Sequence, residues 1–352
     1  MEMALYHPEL GYYTKKRDPG TISDYYTSVE LHPVFGEIIS ARISSIAKNI
    51  SNDTEEKKER FTVVEMGAGK GILANDILQG LKKKDDNLYE RADFVYIEKN
   101  KNLSNEVSKI LAEHKSKVSF FSSPEELIKE LKGVLITGCI ISNELLDSFP
   151  VHRIRKEKGK LKEIYVSWDG SEFTEESGEI SNEEIKEYIK RYGIELKEGW
   201  QAEVNLKISD WVKEVSNIIK RGFLITIDYG YLADKLYSGI FPEGTLRCYR
   251  KHKVDNNPYE DIGMKDITSH VNFSDLEYHG SINGFELVDF STQKDFLLRG
   301  GIIDYISKFA VGREDFTSGL FSELEAIKNL LLPDGMGEIF KVMIQGKGVN
   351  GR

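Results

Sequence analysis

The chain has 352 residues, more than one average domain, so a sizeable core with an elaboration or second lobe is expected, with room for an enzyme-sized cleft. Asp and Glu (58) outnumber Lys and Arg (48), a formal net charge of -10, which argues against the overall basic footprint of a nucleic-acid binder and leaves only a local patch open. The two cysteines, Cys139 and Cys248, lack the paired spacing of disulfide frameworks or zinc sites, so no metal and a reducing compartment are expected. No apolar run approaches membrane-spanning length, and "MEMALYHPEL" has neither the basic flank nor the hydrophobic stretch of a secretory signal. The expectation is a cytoplasmic chain without membrane insertion.

In chain order, a first lobe dense in aromatics and turn residues gives way, after Pro33, to a helix marked by Phe35, Ile39, Ile43, Ile46 and Ile50. "SNDTEEKKER" reads as a charged surface connection. Phe61 to Glu65 is a short buried strand running into "MGAGKG", and Ile72, Leu73, Ile77, Leu78 and Leu81 form the next helical face. "DFVYIE" is a strand, Leu103, Val107, Ile110 and Leu111 a helix, and "VSFF" a third strand. Ser123, Pro124 and Glu126 then open a helix with a capping box, and "GVLITGCIIS" is a fourth strand. Such long apolar runs suit strands covered on both faces.

The alternation breaks at "VHRIRKEKGKLKEIYVSWDGSEFTEE", which reads as an antiparallel insertion with turns at Gly159 and Gly170; Ser181 and Glu184 are spaced as a second capping box. Ile208, Trp211, Val212, Val215 and Ile219 form a helix that Gly222 is expected to end, and "FLITIDYGY" is a fifth buried strand. The stretch from Tyr231 to His270 has weak periodicity and reads as a lid-like loop. A helix from about Asn272, a strand "FELVDF", helices around Phe296 and Leu324, and "GEIFKVMIQG" as a closing edge strand complete the chain. The expected fold class is α/β: a doubly wound, mostly parallel sheet with helices on both faces, an antiparallel insertion and an aromatic N-terminal lobe. The expected divisions are 1–60, a lobe covering the cofactor pocket; 61–150, the first part of the core; 151–205, the insertion; and 206–352, the second part of the core.

In a doubly wound sheet the turn after the first strand lies at the carboxyl edge, where ligands bind. Gly67, Gly69 and Gly71 give G-x-G-x-G after Glu65, with Ala68 between the first two, whereas a dinucleotide fingerprint needs G-x-G-x-x-G. A turn with no ligand is the plain alternative. The second strand ends in Glu98, whose carboxylate can accept both hydroxyls of a ribose. "SNELLDSFPVHR" brings Asn143, Glu144 and Asp147 to the same edge, where two carboxylates in a cleft favour a cationic guest, and a planar guanidinium matches their acceptors. The alternative is that Asn143 and Asp147 cap a helix while Glu144 faces water. "IDYGY" adds Asp228 and Tyr229, and "GTLRCYRKH" and "DITSHVNF" add Arg247, Tyr249, Arg250, Asp266, Thr268 and His270.

"MALYHPELGYY", "DYYTSVELHPVFGE", "VVEMGAGKGILANDIL", "NELLDSFPVHR", "IDYGY", "GTLRCYRKHKV", "DITSHVNF" and "TQKDFLLRGGI" together resemble one family, in order and over nearly the whole chain. It is the MidA-type S-adenosylmethionine-dependent methyltransferases, whose mitochondrial relative is an arginine methyltransferase assisting assembly of respiratory complex I. The G-x-G-x-G spacing is shared by many methyltransferases; the first stretch, "GTLRCYRKHKV" and "DITSHV" are more particular to this family. The resemblance implies S-adenosyl-L-methionine near Gly67, Gly69, Gly71 and Glu98, a substrate site near Asn143, Glu144 and Asp147, and Thr27, Ser28 and Glu30 close to the cofactor. The family usually carries a helical stretch before "MALYHP", not included in this sequence, and Val29 stands where a Pro is usual.

The expected reaction is transfer of a methyl group to a nitrogen of a protein arginine, the protein chiefly aligning the reactants and excluding water. Glu144 and Asp147 would orient the guanidinium, and Asp228 or His270 would accept the released proton. Glu30, Tyr229, Arg247, Tyr249, Asp266 and Thr268 are the expected contacts to the substrate, a partner protein such as a respiratory complex subunit; association of two chains stays open. The rival readings are an assembly chaperone that keeps the fold, a methyltransferase of small molecules or RNA, and a nicotinamide-dependent oxidoreductase, which the glycine spacing disfavours.

Overall fold

The computed structural model describes residues 1–15, 27–52, 60–251, 253–311 and 318–349. The charged connection expected before Phe61 lies, over 53–59, outside the described residues. The strands, in order, are β1 (Phe61–Met66), β2 (Ala92–Ile97), β3 (Val118–Phe121), β4 (Ile136–Asn143), β5 (His152–Glu157), β6 (Lys160–Trp168), β7 (Phe173–Gly178), β8 (Gln201–Val204), β9 (Ile219–Tyr231), β10 (Arg247–Arg250), β11 (Lys253–Asp255), β12 (Asp266–Thr268), β13 (Val271–Asn272), β14 (Phe285–Thr292) and β15 (Phe340–Lys347). The chain divides into two compact units: one holds the described residues of Met1–Tyr25, Leu146–Val212 and Tyr229–His279, the other those of Tyr26–Leu145, Lys213–Asp228 and Gly280–Arg352.

The second unit carries the main sheet, in the order β14-β15-β9-β4-β1-β2-β3. β1 runs parallel to β2 and to β4, β2 to β3, and β4 to β9, while β14 and β15 are antiparallel. Strand order therefore reverses between β1 and β4, which brings the turn after β1 and the turn after β4 side by side at the carboxyl edge. β4 is buried along nearly all its length, as its unbroken apolar run requires. The helix after Pro33 spans Val34–Asn52 and packs on the helix Ile72–Lys84 that follows the glycine turn. Ser123 caps the helix Pro124–Leu131 by accepting the Glu126 N–H at 3.3 Å, but the Glu126 carboxylate returns to the Ser122 N–H at 2.7 Å, one residue before the expected partner.

Two expectations about this unit are corrected. Gly222 does not end a helix: the helix stops at Ile218, β9 begins at Ile219, and Gly222 lies within it at φ +146° opposite Gly138. A Cβ there would sit 1.9 Å from the Gly138 carbonyl oxygen, so glycine is required by close strand approach and not by a helix end. The strand β15 is not an edge either; it lies between β9 and β14, buried at every position but the last, and β14 is the edge.

The first unit contains the antiparallel insertion, ordered β7-β6-β5-β8. Ile154, Ile185, Tyr188, Ile194, Leu196, Ala202 and Val204 form its core beneath the helix Glu183–Arg191. That helix is capped by Asn182, whose Oδ1 accepts the Ile185 N–H at 3.0 Å, and not by Ser181, whose own N–H is given to Glu163 at 2.7 Å. The segment expected to be an irregular lid contains a short helix, Ala233–Leu236, and a small antiparallel sheet, β11-β10-β12, joined by irregular stretches. Cys248 and Ile267 of this sheet, with Leu246 just before β10, pack with Ala4, Leu5 and Tyr12 in one buried cluster. Each such wholly buried Leu or Ile stabilises the fold by about 1.5–3 kcal/mol, enough to hold strands of three or four residues.

Candidate active site

At the end of β1, Gly67, Gly69 and Gly71 have φ of +71°, +54° and +78°, a left-handed succession that favours glycine. The turn is pinned by the N–H groups of Gly67 and Ala68, both bonded to the Ile97 carbonyl at 3.0 and 3.2 Å, and it feeds the N-terminus of the helix Ile72–Lys84. A Cβ on Gly67 would lie 2.8 Å from Leu145 Cδ1, whereas one on Gly69 would meet no atom within 4 Å. Gly69 thus borders open space. The Glu98 carboxylate beside it accepts the N–H groups of Gly69 at 2.9 Å and Asn100 at 2.7 Å, and the Tyr96 hydroxyl donates to the Gly69 carbonyl. Burial raises the Glu98 pKa and these N–H bonds oppose the rise. An ionised carboxylate has about four acceptor sites, so capacity for a ribose hydroxyl remains.

Glu65 is 3% exposed and takes the Ala74 backbone N–H, while its Oε2 has no partner among the described residues. Burial, and secondly the Glu98 charge, push its carboxyl up to about 8. The buried Oγ1 of Thr27 and Oδ1 of Asn143 likewise have no hydrogen-bond partner among the described residues. Buried acceptors without donors suit a guest that brings N–H groups or positive charge, and with the open space at Gly69 they fit an adenosine carrying a cationic amino-acid chain.

After β4, Glu144 is held at φ +51°, a conformation uncommon for any residue but glycine. Its N–H bonds the Ile227 carbonyl at 2.9 Å, and its Oε1 accepts the Ser28 N–H at 3.1 Å and the Asn143 amide at 3.2 Å. Asp228, wholly buried, accepts the Leu145 N–H at 3.2 Å and so braces the same turn. Glu30, an expected substrate contact, forms an ion pair with Lys70 of the glycine turn at 2.7 Å.

The second unit thus gathers Thr27, Ser28, Glu30, Glu65, Gly67, Ala68, Gly69, Gly71, Glu98, Asn143, Glu144 and Asp228. Asp147, Tyr229, Arg247, Tyr249, Asp266, Thr268 and His270 belong to the first. There, Tyr229 hydrogen-bonds the buried Asp147 carboxylate, and burial followed by the Asp147 charge raises its phenol well above the usual value. Asp266 accepts the Tyr13 hydroxyl at 2.6 Å, and the Ser269 N–H bonds the Asp147 carbonyl at 2.9 Å. The His270 ring packs against Tyr229, Tyr231 and Phe241 at 5.6, 5.6 and 5.2 Å. Arg247 donates to the Leu246 carbonyl at 2.7 Å. Sequence reading missed Tyr96, Lys70 and the Ser28 N–H: a tyrosine within an apolar strand and a backbone donor carry no signal of their own.

Residues 43–291 match the model of a family of S-adenosyl-L-methionine-dependent methyltransferases. The fold superposes, with a TM-score of 0.84 and 26% identity, on a Burkholderia thailandensis protein crystallised with S-adenosyl-homocysteine, covering 99% of this chain and 87% of that one. Among curated relatives, the mitochondrial protein arginine methyltransferase NDUFAF7 of Bos taurus is 26% identical over 97% of this chain and 78% of its own length. The mitochondrial NDUFAF7 homologue of Drosophila melanogaster is 23% identical over 81% of this chain. The chain spans 66% of that fruit-fly protein, just under two thirds.

Proposed function

Because this chain belongs to the family of S-adenosyl-L-methionine-dependent methyltransferases, we propose that it methylates a guanidinium nitrogen of a protein arginine. The reading is supported by the relatives named as protein arginine methyltransferases and, within this chain, by one observation: the Glu144 carboxylate is braced at the carboxyl edge by two N–H donors and a left-handed backbone. The cofactor supplies a methyl group on a sulfonium, with its leaving group already built in. Glu98 and the glycine turn would hold the nucleoside; Asn143, Thr27 and the carbonyl oxygen of the protonated Glu65 carboxyl would accept from the amino-acid end. Glu144 takes the guanidinium, keeping the attacking nitrogen in line and concentrating electron density on it, and Asp228, the expected acceptor in the same unit, takes the proton that this nitrogen loses. The protein substrate is proposed to be an assembly partner such as a respiratory complex I subunit.

The test is mass spectrometry of arginine-containing peptides incubated with the protein and S-adenosylmethionine, comparing wild type with Glu144→Gln. Arginine methylation should fall by roughly 100-fold in the variant, with S-adenosyl-homocysteine affinity retained. Methyl groups found on another residue type, on RNA or on a small molecule would overturn the arginine assignment. A wild-type rate in the variant would remove Glu144 from the reaction.

A further inference from the structure

The stretch "TQKDFLLRGGI" carries part of the family resemblance but has no role in the chemistry above. Its Gln293 is wholly buried at the first position of the helix Gln293–Arg299. Both ends of the amide are committed. Nε2 donates to the Leu330 carbonyl at 3.1 Å, in the last turn of the helix Ser318–Leu331, where carbonyls lack partners within the helix. Oε1 accepts the Ser28 hydroxyl at 3.0 Å, and Ser28 is itself wholly buried. The Ser28 N–H then donates to Glu144 Oε1 at 3.1 Å.

From these contacts we infer that Gln293 is a positioning residue for the Glu144 carboxylate, acting through Ser28. The inference rests on the proposed role of Glu144. Ser28 begins a helix of four residues, Ser28–Leu31, whose Thr27 cap makes no side-chain bond. A single turn has no stability of its own, so neighbours must fix where its N–H groups point. The backbone of Glu144 is held at φ +51°, which persists only where surrounding contacts over-determine it. The Ser28 N–H supplies one contact to Glu144, and Gln293 fixes Ser28 from a segment 265 residues further along, anchored in turn on the end of another helix. A leucine would fill the same volume; it could not hold the Ser28 hydroxyl.

The test uses full-length protein saturated with S-adenosyl-homocysteine and titrated calorimetrically with Nα-acetyl-arginine amide. Gln293→Leu should weaken the arginine probe about tenfold, as loss of a bond braced on a charged group does, and leave S-adenosyl-homocysteine affinity within about twofold. Ser28→Ala cuts the same link with a smaller change of volume, so it should weaken the probe equally, and the double variant should be no worse than either. In a Glu144→Gln background Gln293→Leu should add nothing. An equal loss in that background, or a parallel loss of S-adenosyl-homocysteine, makes Gln293 a structural amide only and overturns the inference. If Glu144→Gln alone leaves probe binding intact, the guanidinium reading is what fails, and a crystal structure of Gln293→Leu decides the rest. Glu144 displaced from the Ser28 N–H supports the link; Glu144 unmoved overturns it.

Discussion

Glu65→Gln should change how stability depends on pH. Burial raises the Glu65 carboxyl from its ordinary 4.5 to about 8, with the Glu98 charge adding to the effect. Between those two values the folded protein holds a proton that the unfolded chain has released, so stability falls as pH rises, by about 1.4 kcal/mol per pH unit. Below 4.5 both states are protonated and the contribution is complete; above about 8 both are ionised and the slope ends. The full span is roughly 5 kcal/mol, an upper figure for a side chain this deeply buried. Glutamine stays neutral throughout and removes this slope. Asp76, raised to about 6, shares the sign, whereas Glu163 and Glu175, held low by their partners, have the opposite one. Glu163 and Glu175 are common to both proteins and cancel in the difference; Asp76, whose charge also acts on Glu65, adds to the same slope. Urea denaturation of wild type and variant from about pH 4 to pH 9 should show the stability of wild type relative to the variant declining through the window and level beyond it. A difference independent of pH would refute a proton on Glu65.

Gly222→Ala should lower stability by at least about 3 kcal/mol, seen as a large drop in Tm, because its Cβ would meet the Gly138 carbonyl at 1.9 Å. Gly159→Ala, at φ +75° in a hairpin turn with nothing within 4 Å, should cost only about 1 kcal/mol, so equal effects would contradict the steric account. Cys139 and Cys248 are both free, fully buried thiols whose pKa values are raised by burial, and they lie in different units. Neither should react with a thiol reagent in the native protein, and during unfolding each should report the opening of its own unit; rapid native labelling of either would contradict the packing.

Legibility followed the range of the interaction that decides each feature. The runs that became β1, β2 and β4 were readable because a strand buried on both faces must be apolar throughout, and the Ser123 cap because its bond closes within three residues. The nearness of Glu98 to the glycine turn was readable too, since parallel neighbours deliver their ends to one edge. Gly222 was misread because a glycine after a helical pattern looks the same whether it ends the helix or admits a neighbouring strand, and only the register with Gly138 tells them apart. The β10–β12 sheet escaped because strands of three or four residues show no period, and part of its buried cluster comes from Ala4, Leu5 and Tyr12, more than 200 residues away in the chain. At the site, residue types announced the carboxylates but not what holds them. Glu144 is oriented by a backbone N–H 116 residues distant, and any residue other than proline supplies such a donor. The chemistry of a site is therefore written in side chains that sequence can reveal, while its geometry depends on partners that carry no residue signature. Substitutions at the side chains that fix such partners, Gln293 foremost, test the site more sharply than removal of the carboxylates themselves.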